Sequence, residues 1–378
     1  MTMFRLHAKR LFDGDNFSDD QVLTIEDGII IAIDQDTSRV DSVADGLLVP
    51  GFIDLQVNGG GGMLFNASPS LESIKTIMTA HSRYGTTAML PTLITDKVEV
   101  MAQAAEAIAQ AIAENVPGII GIHFEGPHLS VAKKGAHSAE YIRPISEPEW
   151  QVLSRQDIGQ VLVTLAPETV LPEDIARMVA LGIKVCLGHT NADYQTAQAA
   201  IDAGADGFTH LFNAMSPLQG REPGVVGCAL LNDQASCGLI VDGLHVDYTS
   251  CQLALKAKPK GKVFLVTDAM PPVGTDAKEF DFFNRKVYLN NGELRSTTGE
   301  LAGSVLDMAS AVQNCHQKMM QSLDEAIRMA SQYPAAYINQ SEERGRLTIG
   351  QQADMVLLDD GLSVQVNWIA GQLVYQQE

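Results

Sequence analysis

Basic residues are scarce in this chain: 26 lysines and arginines stand against 46 aspartates and glutamates in 378 residues, a formal net charge of -20. A surface of that sign opposes binding to nucleic acid or to an anionic membrane, so an anionic small molecule has to be met by a local cluster of cations. Cysteine is sparse too. Cys186, Cys228, Cys237, Cys251 and Cys315 are odd in number, show no CxxC spacing and lie mostly in apolar or helical contexts. This excludes a disulfide framework and reads as reduced packing residues of a cytoplasmic protein. No segment has the unbroken apolar length of a membrane span, and the start, MTMFRLHAKRLF, holds no apolar stretch long enough for a signal peptide. A GxSxG elbow is missing, which argues against a serine nucleophile. The glycine run Gly59 to Gly62 lacks both the Lys-Ser/Thr of a P-loop and a GxGxxG pattern, so it reads as a tight loop and not as a phosphate cradle. There is no solenoid repeat or low-complexity segment.

Four short apolar runs each stop at a residue able to bind a metal or move a proton: GIIGIHFEGP at Glu125, IKVCLGHT at His189, DGFTHLFNAM at His210 and KVFLVTDAM at Asp268. An apolar run of about five residues that ends in a polar side chain and precedes a helical stretch is the pattern of a buried parallel strand. Such a strand delivers its last side chain to one rim of the sheet. Alone, a buried His is more often hydrogen-bonded core, and a lone Asp before a helix is usually an N-cap. Four at the same kind of strand end point instead to a hydrolytic site. One carboxylate and two imidazoles suit a borderline metal ion, and a further carboxylate can serve as base for water.

The hydrophobic content of 46% suffices for one large α/β domain with a small accessory one. Eight candidate strands are centred on Phe52–Val57, Thr86–Leu90, Ile119–His123, Val161–Leu165, Ile183–Leu187, Gly207–Thr209, Gly238–Val241 and Val263–Val266. Amphipathic stretches such as LESIKTIMTAHSRYG, VEVMAQAAEAIAQAIAEN, PEDIARMVALG and ADYQTAQAAIDAGA separate them, two stopping at a glycine suited to a helix C-terminus. Eight units close a (β/α)8 barrel, whose active sites form at the C-terminal strand ends. An open doubly wound sheet concentrates its site at a switch point, which four separate strand ends contradict. The ends differ in kind. Residues 1–50 and 345–378 carry short β-type runs with turns at Asp27-Gly28 and Ala370-Gly371, and each end is too small to fold alone. The expectation is a 51–344 barrel beside one small β-domain built from both ends.

In order over nearly the whole length, PGFIDLQVNGGGG, HFEGPHL, KKGAHS, LGHTNA, THLFNAMSPLQGREPG, VDGLHVD, LVTDAM and LAGS resemble the N-acetylglucosamine-6-phosphate deacetylase family of the amidohydrolase superfamily. PGFID alone is common to many amidohydrolases; HFEGPHL together with HLFNAM and GREPG is specific to this subgroup. The resemblance implies a (β/α)8 barrel with a flanking β-domain, a divalent metal, and cleavage of a sugar acetamide to a free amine and acetate. It makes Glu125, His189 and His210 metal ligands, Asp268 the catalytic base, and His137 the group that polarises the acetamide oxygen. Arg221 in GREPG and His245 in DGLH would hold the phosphate; Asn213 and Ala214 could offer backbone and amide contacts to it. Ala136, Asp242, Gly243 and the Leu301-Ala302-Gly303 stretch fall in segments that contact the sugar in that family.

Where many amidohydrolases carry His-x-His after the first barrel strand, this chain has Gln56-Val57-Asn58, and Ala166-Pro167-Glu168 follows the fourth strand with no lysine to be carbamylated. Amides are poor transition-metal ligands. One ion per chain is therefore expected, zinc first, with iron, cobalt and manganese as alternatives. Gln56 and Asn58 are expected to support the site by hydrogen bonds, and Glu168 to be structural. Lys133 and Lys134 read as solvated charges on a mobile loop. The resemblance also implies a homodimer whose phosphate pocket is completed by the neighbouring subunit. N-acetylgalactosamine 6-phosphate, which differs at one hydroxyl, is the close substrate alternative. A different amidohydrolase and a catalytically silent barrel are the remaining readings, and the intact Glu–His–His–Asp set argues against the last.

Overall fold

The computed structural model describes residues 3–283, 285–297 and 299–377. Eight strands lie in sequence order in one parallel sheet: β1 (Phe52–Val57), β2 (Thr86–Ile94), β3 (Gly121–Glu125), β4 (Gln160–Leu165), β5 (Lys184–Leu187), β6 (Gly207–Phe208), β7 (Ser236–Leu239) and β8 (Val263–Leu265). A parallel bridge between Val57 and Ala269 joins the last strand's extension to the first and closes the barrel. All eight fall where the sequence placed them, with ends shifted by a few residues. Every residue of β1 and β2 is buried, as expected for strands covered on both faces.

Helices α1 (Leu71–Ser82), α2 (Val98–Ala113), α3 (Glu147–Leu153), α4 (Pro172–Ala180), α5 (Tyr194–Asp202), α6 (Gly224–Leu231), α7 (Tyr248–Ala257) and α8 (Met308–Gln317) alternate with the strands. Their ends carry identifiable signals. Ser70 and Asp193 accept hydrogen bonds from the backbone amides of Ser73 and Thr196, capping α1 and α5. After α4, Gly182 adopts φ +84° and donates to the Val179 carbonyl while Ile183 donates to that of Met178. This reversal needs a left-handed residue, which glycine supplies without a Cβ clash.

Both chain ends meet in a second sheet of seven strands, in the order Gln372–Gln376, Val364–Ile369, Met355–Leu358, Ser42–Pro50, Met3–Phe12, Phe17–Glu26, Ile29–Asp34. The two ends are joined by antiparallel pairing of Ser42–Pro50 with Met355–Leu358. Asp27-Gly28 and Ala370-Gly371 have positive φ at both positions, the twist that two-residue hairpin turns require. A separate core of Leu6, Leu23, Ile25, Leu48, Leu347, Met355 and Trp368 lies beneath this sheet.

One element inside the expected barrel segment was not foreseen. Between β8 and α8 the chain forms a three-stranded antiparallel insertion, Glu279–Phe282, Arg285–Asn290 and Glu293–Ser296. Its second turn, Asn291-Gly292, has φ +51° and +84°. Among the described residues no helix is long and apolar enough to cross a membrane.

Candidate active site

The barrel brings the four strand-end residues together at one rim. Glu125 is the last residue of β3, His189 and His210 follow β5 and β6 by two residues, and Asp268 follows β8 by three. His189, His210 and Asp268 have φ of +49°, +33° and +53°. Left-handed backbone is sparsely populated by such residues and costs on the order of 1–3 kcal/mol each, strain that characteristically gathers at functional sites.

Glu125 Oε1 lies 3.1 Å from His189 Nε2 and 3.0 Å from His210 Nε2, and the two nitrogens are 3.0 Å apart. Tetrahedral ligands at roughly 2.0–2.1 Å from a zinc ion would be about 3.3 Å from one another. The three atoms therefore fit a single divalent cation with little adjustment, and their chemistry is right for it. The backbone carbonyl of Lys133 lies 2.9 Å from His189 Nδ1. A carbonyl can only accept, so the ring proton is on Nδ1 and the Nε2 lone pair faces the site. Burial alone would raise the Glu125 pKa, but the two imidazoles packed against it, His189 and His210, outweigh burial and hold the carboxyl well below its usual range.

Asp268 is positioned from the first strand. Asn58 Nδ2 donates to Asp268 Oδ1 at 2.6 Å, and Gln56 Nε2 reaches both Asp268 Oδ1 at 3.2 Å and Glu125 Oε1 at 3.1 Å. Burial, and then the negative charge of Glu125, push the Asp268 pKa up to about 6. A carboxylate in that range is poised to accept and return a proton near neutral pH.

His137 stands beside the triad, its ring 4.3 Å from that of His189 between centroids. Its Nδ1 accepts from the Thr95 amide at 3.4 Å, which leaves the proton on Nε2. Burial, and then His189, hold its pKa well below normal, so at neutral pH it is a neutral N–H donor. A cavity of about 340 Å³ is lined by Asn58, Glu125, Ala136, His137, Asn213, Ala214, His245, Asp268 and the Leu301–Gly303 stretch, among others. His189 and His210 line it too.

Other expected residues lie outside that lining. Gln56 supports the two carboxylates. Asp242 Oδ2 lies 2.7 Å from His245 Nδ1 and its Oδ1 accepts the backbone amides of Leu244 and His245, so it orients His245 and does not line the cavity. Gly243, at φ +74° with the Tyr248 ring where a Cβ would stand, permits that turn. Arg221 is exposed, does not line the cavity, and makes no ion pair or side-chain hydrogen bond among the described residues. Glu168 accepts from Thr190 Oγ1 at 2.5 Å and from the Asn191 amide at 2.7 Å; it pins the loop after His189.

Lys133, read as a solvated charge, is half-buried and makes no side-chain ion pair among the described residues, yet it lines the cavity and its carbonyl orients His189. Thr95, Met270, Phe282 and Glu300 escaped the sequence reading. Thr95 had no signal beyond following a strand, and a backbone carbonyl such as that of Lys133 has no residue signature at all.

A model described as "Amidohydrolase family" matches residues 47–374. The chain is 51% identical to an N-acetylgalactosamine-6-phosphate deacetylase of Shewanella sp. (strain ANA-3), over 98% of this chain and 95% of that protein. The crystal structure of N-acetylglucosamine-6-phosphate deacetylase from Pasteurella multocida is similar with a TM-score of 0.94 and 36% identity, covering 98% of this chain and 99% of that one. A mutant N-acetyl-D-glucosamine-6-phosphate deacetylase from Mycobacterium smegmatis, solved in complex with N-acetyl-D-glucosamine-6-phosphate, is similar with a TM-score of 0.92 and 28% identity over the whole of both chains.

Proposed function

This chain belongs to the amidohydrolase family, and from that premise we propose that it hydrolyses the acetamide of an N-acetylhexosamine 6-phosphate, releasing acetate and the free amino sugar phosphate. The observation that carries the reading is the convergence of Glu125, His189 and His210 within about 3 Å of one another in a cavity shared with Asp268 and His137. N-acetyl-D-glucosamine 6-phosphate is the substrate that the sequence motifs point to. The 51% identity to an N-acetylgalactosamine-6-phosphate deacetylase favours the other epimer as a second reading.

One divalent ion per chain, zinc first, would be held by Glu125, His189 and His210; when bound it lowers the pKa of a water toward neutrality and polarises the amide oxygen. The remaining work falls to the chain. Asp268, held by Asn58 and Gln56, takes the proton from the attacking water and passes it to the departing sugar nitrogen. His137 donates from Nε2 to the acetamide oxygen as negative charge develops there. His245 faces the phosphate, oriented by Asp242, and Asn213 and Ala214 add polar contacts. Arg221 lies outside its own chain's cavity, which supports a homodimer in which each Arg221 completes the partner's phosphate pocket with a planar, two-pronged guanidinium. Five buried, unpaired thiols support a reducing, cytoplasmic setting.

The test is acetate release by purified protein from N-acetylglucosamine and N-acetylgalactosamine, each with and without the 6-phosphate. Much faster turnover of the phosphorylated sugars than of the unphosphorylated ones is expected. Hydrolysis of a cyclic amide or a deamination in their place would overturn the reading.

A further inference from the structure

The cavity contains a third carboxylate that the chemistry above does not use. Glu300 lines it, whereas Glu125 and Asp268 are committed to the ion and to proton transfer. In a protein of net charge -20, another negative group in a cavity that must admit a phosphate repels the ligand unless it does something else. The fold nevertheless fixes it in place. Arg285, on the insertion, donates from Nη1 to Glu300 Oε2 at 3.2 Å, and Ser296 Oγ donates to the same oxygen at 2.7 Å. The same guanidinium donates from Nη2 to the Ala136 carbonyl at 3.0 Å, so Glu300 stands one guanidinium away from the residue preceding His137. Its side chain still keeps 39% exposure, enough to meet a ligand.

An ionised carboxylate only accepts hydrogen bonds, and the donors that an N-acetylhexosamine presents beyond its amide are ring hydroxyls. We propose that Glu300 recognises a ring hydroxyl of the substrate on the His137 side of the cavity, with Arg285 as the positioning residue that orients the carboxylate and offsets its charge. This deepens, and rests on, the reading of the substrate as an N-acetylhexosamine 6-phosphate. It gives the insertion a purpose: one wall of the barrel's rim reads the sugar while the strand ends cut the amide.

The experiment measures kcat and KM of the wild type and Glu300→Gln on N-acetylglucosamine 6-phosphate and on its 1-, 3- and 4-deoxy analogues, with metal content determined on each sample. Removing one charge-assisted hydrogen bond costs about 10- to 150-fold. Glu300→Gln should lose that much kcat/KM on the parent sugar, mostly through KM, and almost nothing on the one analogue that lacks the recognised hydroxyl. Arg285→Gln should show the same pattern at reduced size. An equal loss on the parent and all three analogues, or no loss at all, would overturn the role of Glu300. Absence of wild-type turnover on every phosphorylated sugar would instead sink the substrate reading, and this inference with it.

Discussion

Glu125, His189, His210 and Asp268 all lie within three residues of a barrel strand, whereas Arg221 sits on an exposed stretch between β6 and α6 and Glu300 follows an antiparallel insertion. In the first group Gln56 and Asn58 donate to the carboxylates, and His189 Nδ1 donates to the Lys133 carbonyl. The second, in the roles proposed above, would reach its ligand from loops. Bond breaking tolerates little displacement, since an error of about 1 Å can cost roughly 10²-fold in rate, so its residues are carried by the stiffest part of the fold. Recognition of a phosphate or a hydroxyl can be delegated to segments that vary without disturbing the barrel.

The contrast can be broken most sharply at a strand end. His210→Ala removes one of three ligand atoms, and elemental analysis should find the ion lost. Activity should fall by about 10³-fold or more, because the ion supplies several kcal/mol of transition-state stabilisation. Retained metal with retained turnover would show that the triad is structural.

On the loop side, Arg221→Ala should cost about 2–5 kcal/mol of binding to the phosphorylated substrate, as expected on removing one side of a desolvated charge pair. Little of that loss should appear with the unphosphorylated sugar, and sedimentation should show a dimer in both proteins. An equal loss of kcat/KM for both sugars would mean that Arg221 serves the fold or the chemistry.

A smaller effect separates the groups by pH. Asp268 must be unprotonated to act as base, and its pKa is raised to about 6 by burial and by Glu125. Activity should thus fall as pH drops through this region, by about tenfold per unit below the pKa. A neighbouring cation favours the charged carboxylate, so the loaded enzyme's acid limb should lie at or below pH 6. A rate that is flat from pH 7 down to pH 4 would contradict the assignment.

The smallest change tests the scaffold alone. Gly182→Ala places a Cβ at φ +84° where nothing lies within 4 Å, so the cost is backbone strain of about 1–2 kcal/mol. Unfolding by urea should register it while kcat/KM stays unchanged.

What could be read from the sequence follows the same division. Strands buried on both faces are continuous apolar runs, and a polar residue at the end of such a run is conspicuous, which made β3, β5, β6 and β8 and their terminal side chains visible together. The insertion was hidden because KEFDFFNRKVYLNNGELRS mixes charges with apolar residues, although Asn291-Gly292 is a strong hairpin signal. GREPG pointed to Arg221, but no sequence pattern tells that this loop residue lies outside its own chain's cavity. The contacts of Thr95 and of the Lys133 carbonyl arise from three-dimensional proximity across more than 40 residues, so periodicity had nothing to report.

The central claim is that Glu125, His189 and His210 hold one ion while Asp268 moves the proton without ligating it. Asp268→Asn keeps the size of the side chain and removes the proton acceptor, so its metal content and turnover, measured on the same sample, test the division directly. One ion per chain with kcat reduced by at least about 10²-fold is the predicted result. Near wild-type turnover, loss of the ion, or two ions per chain in the unsupplemented wild type would contradict it.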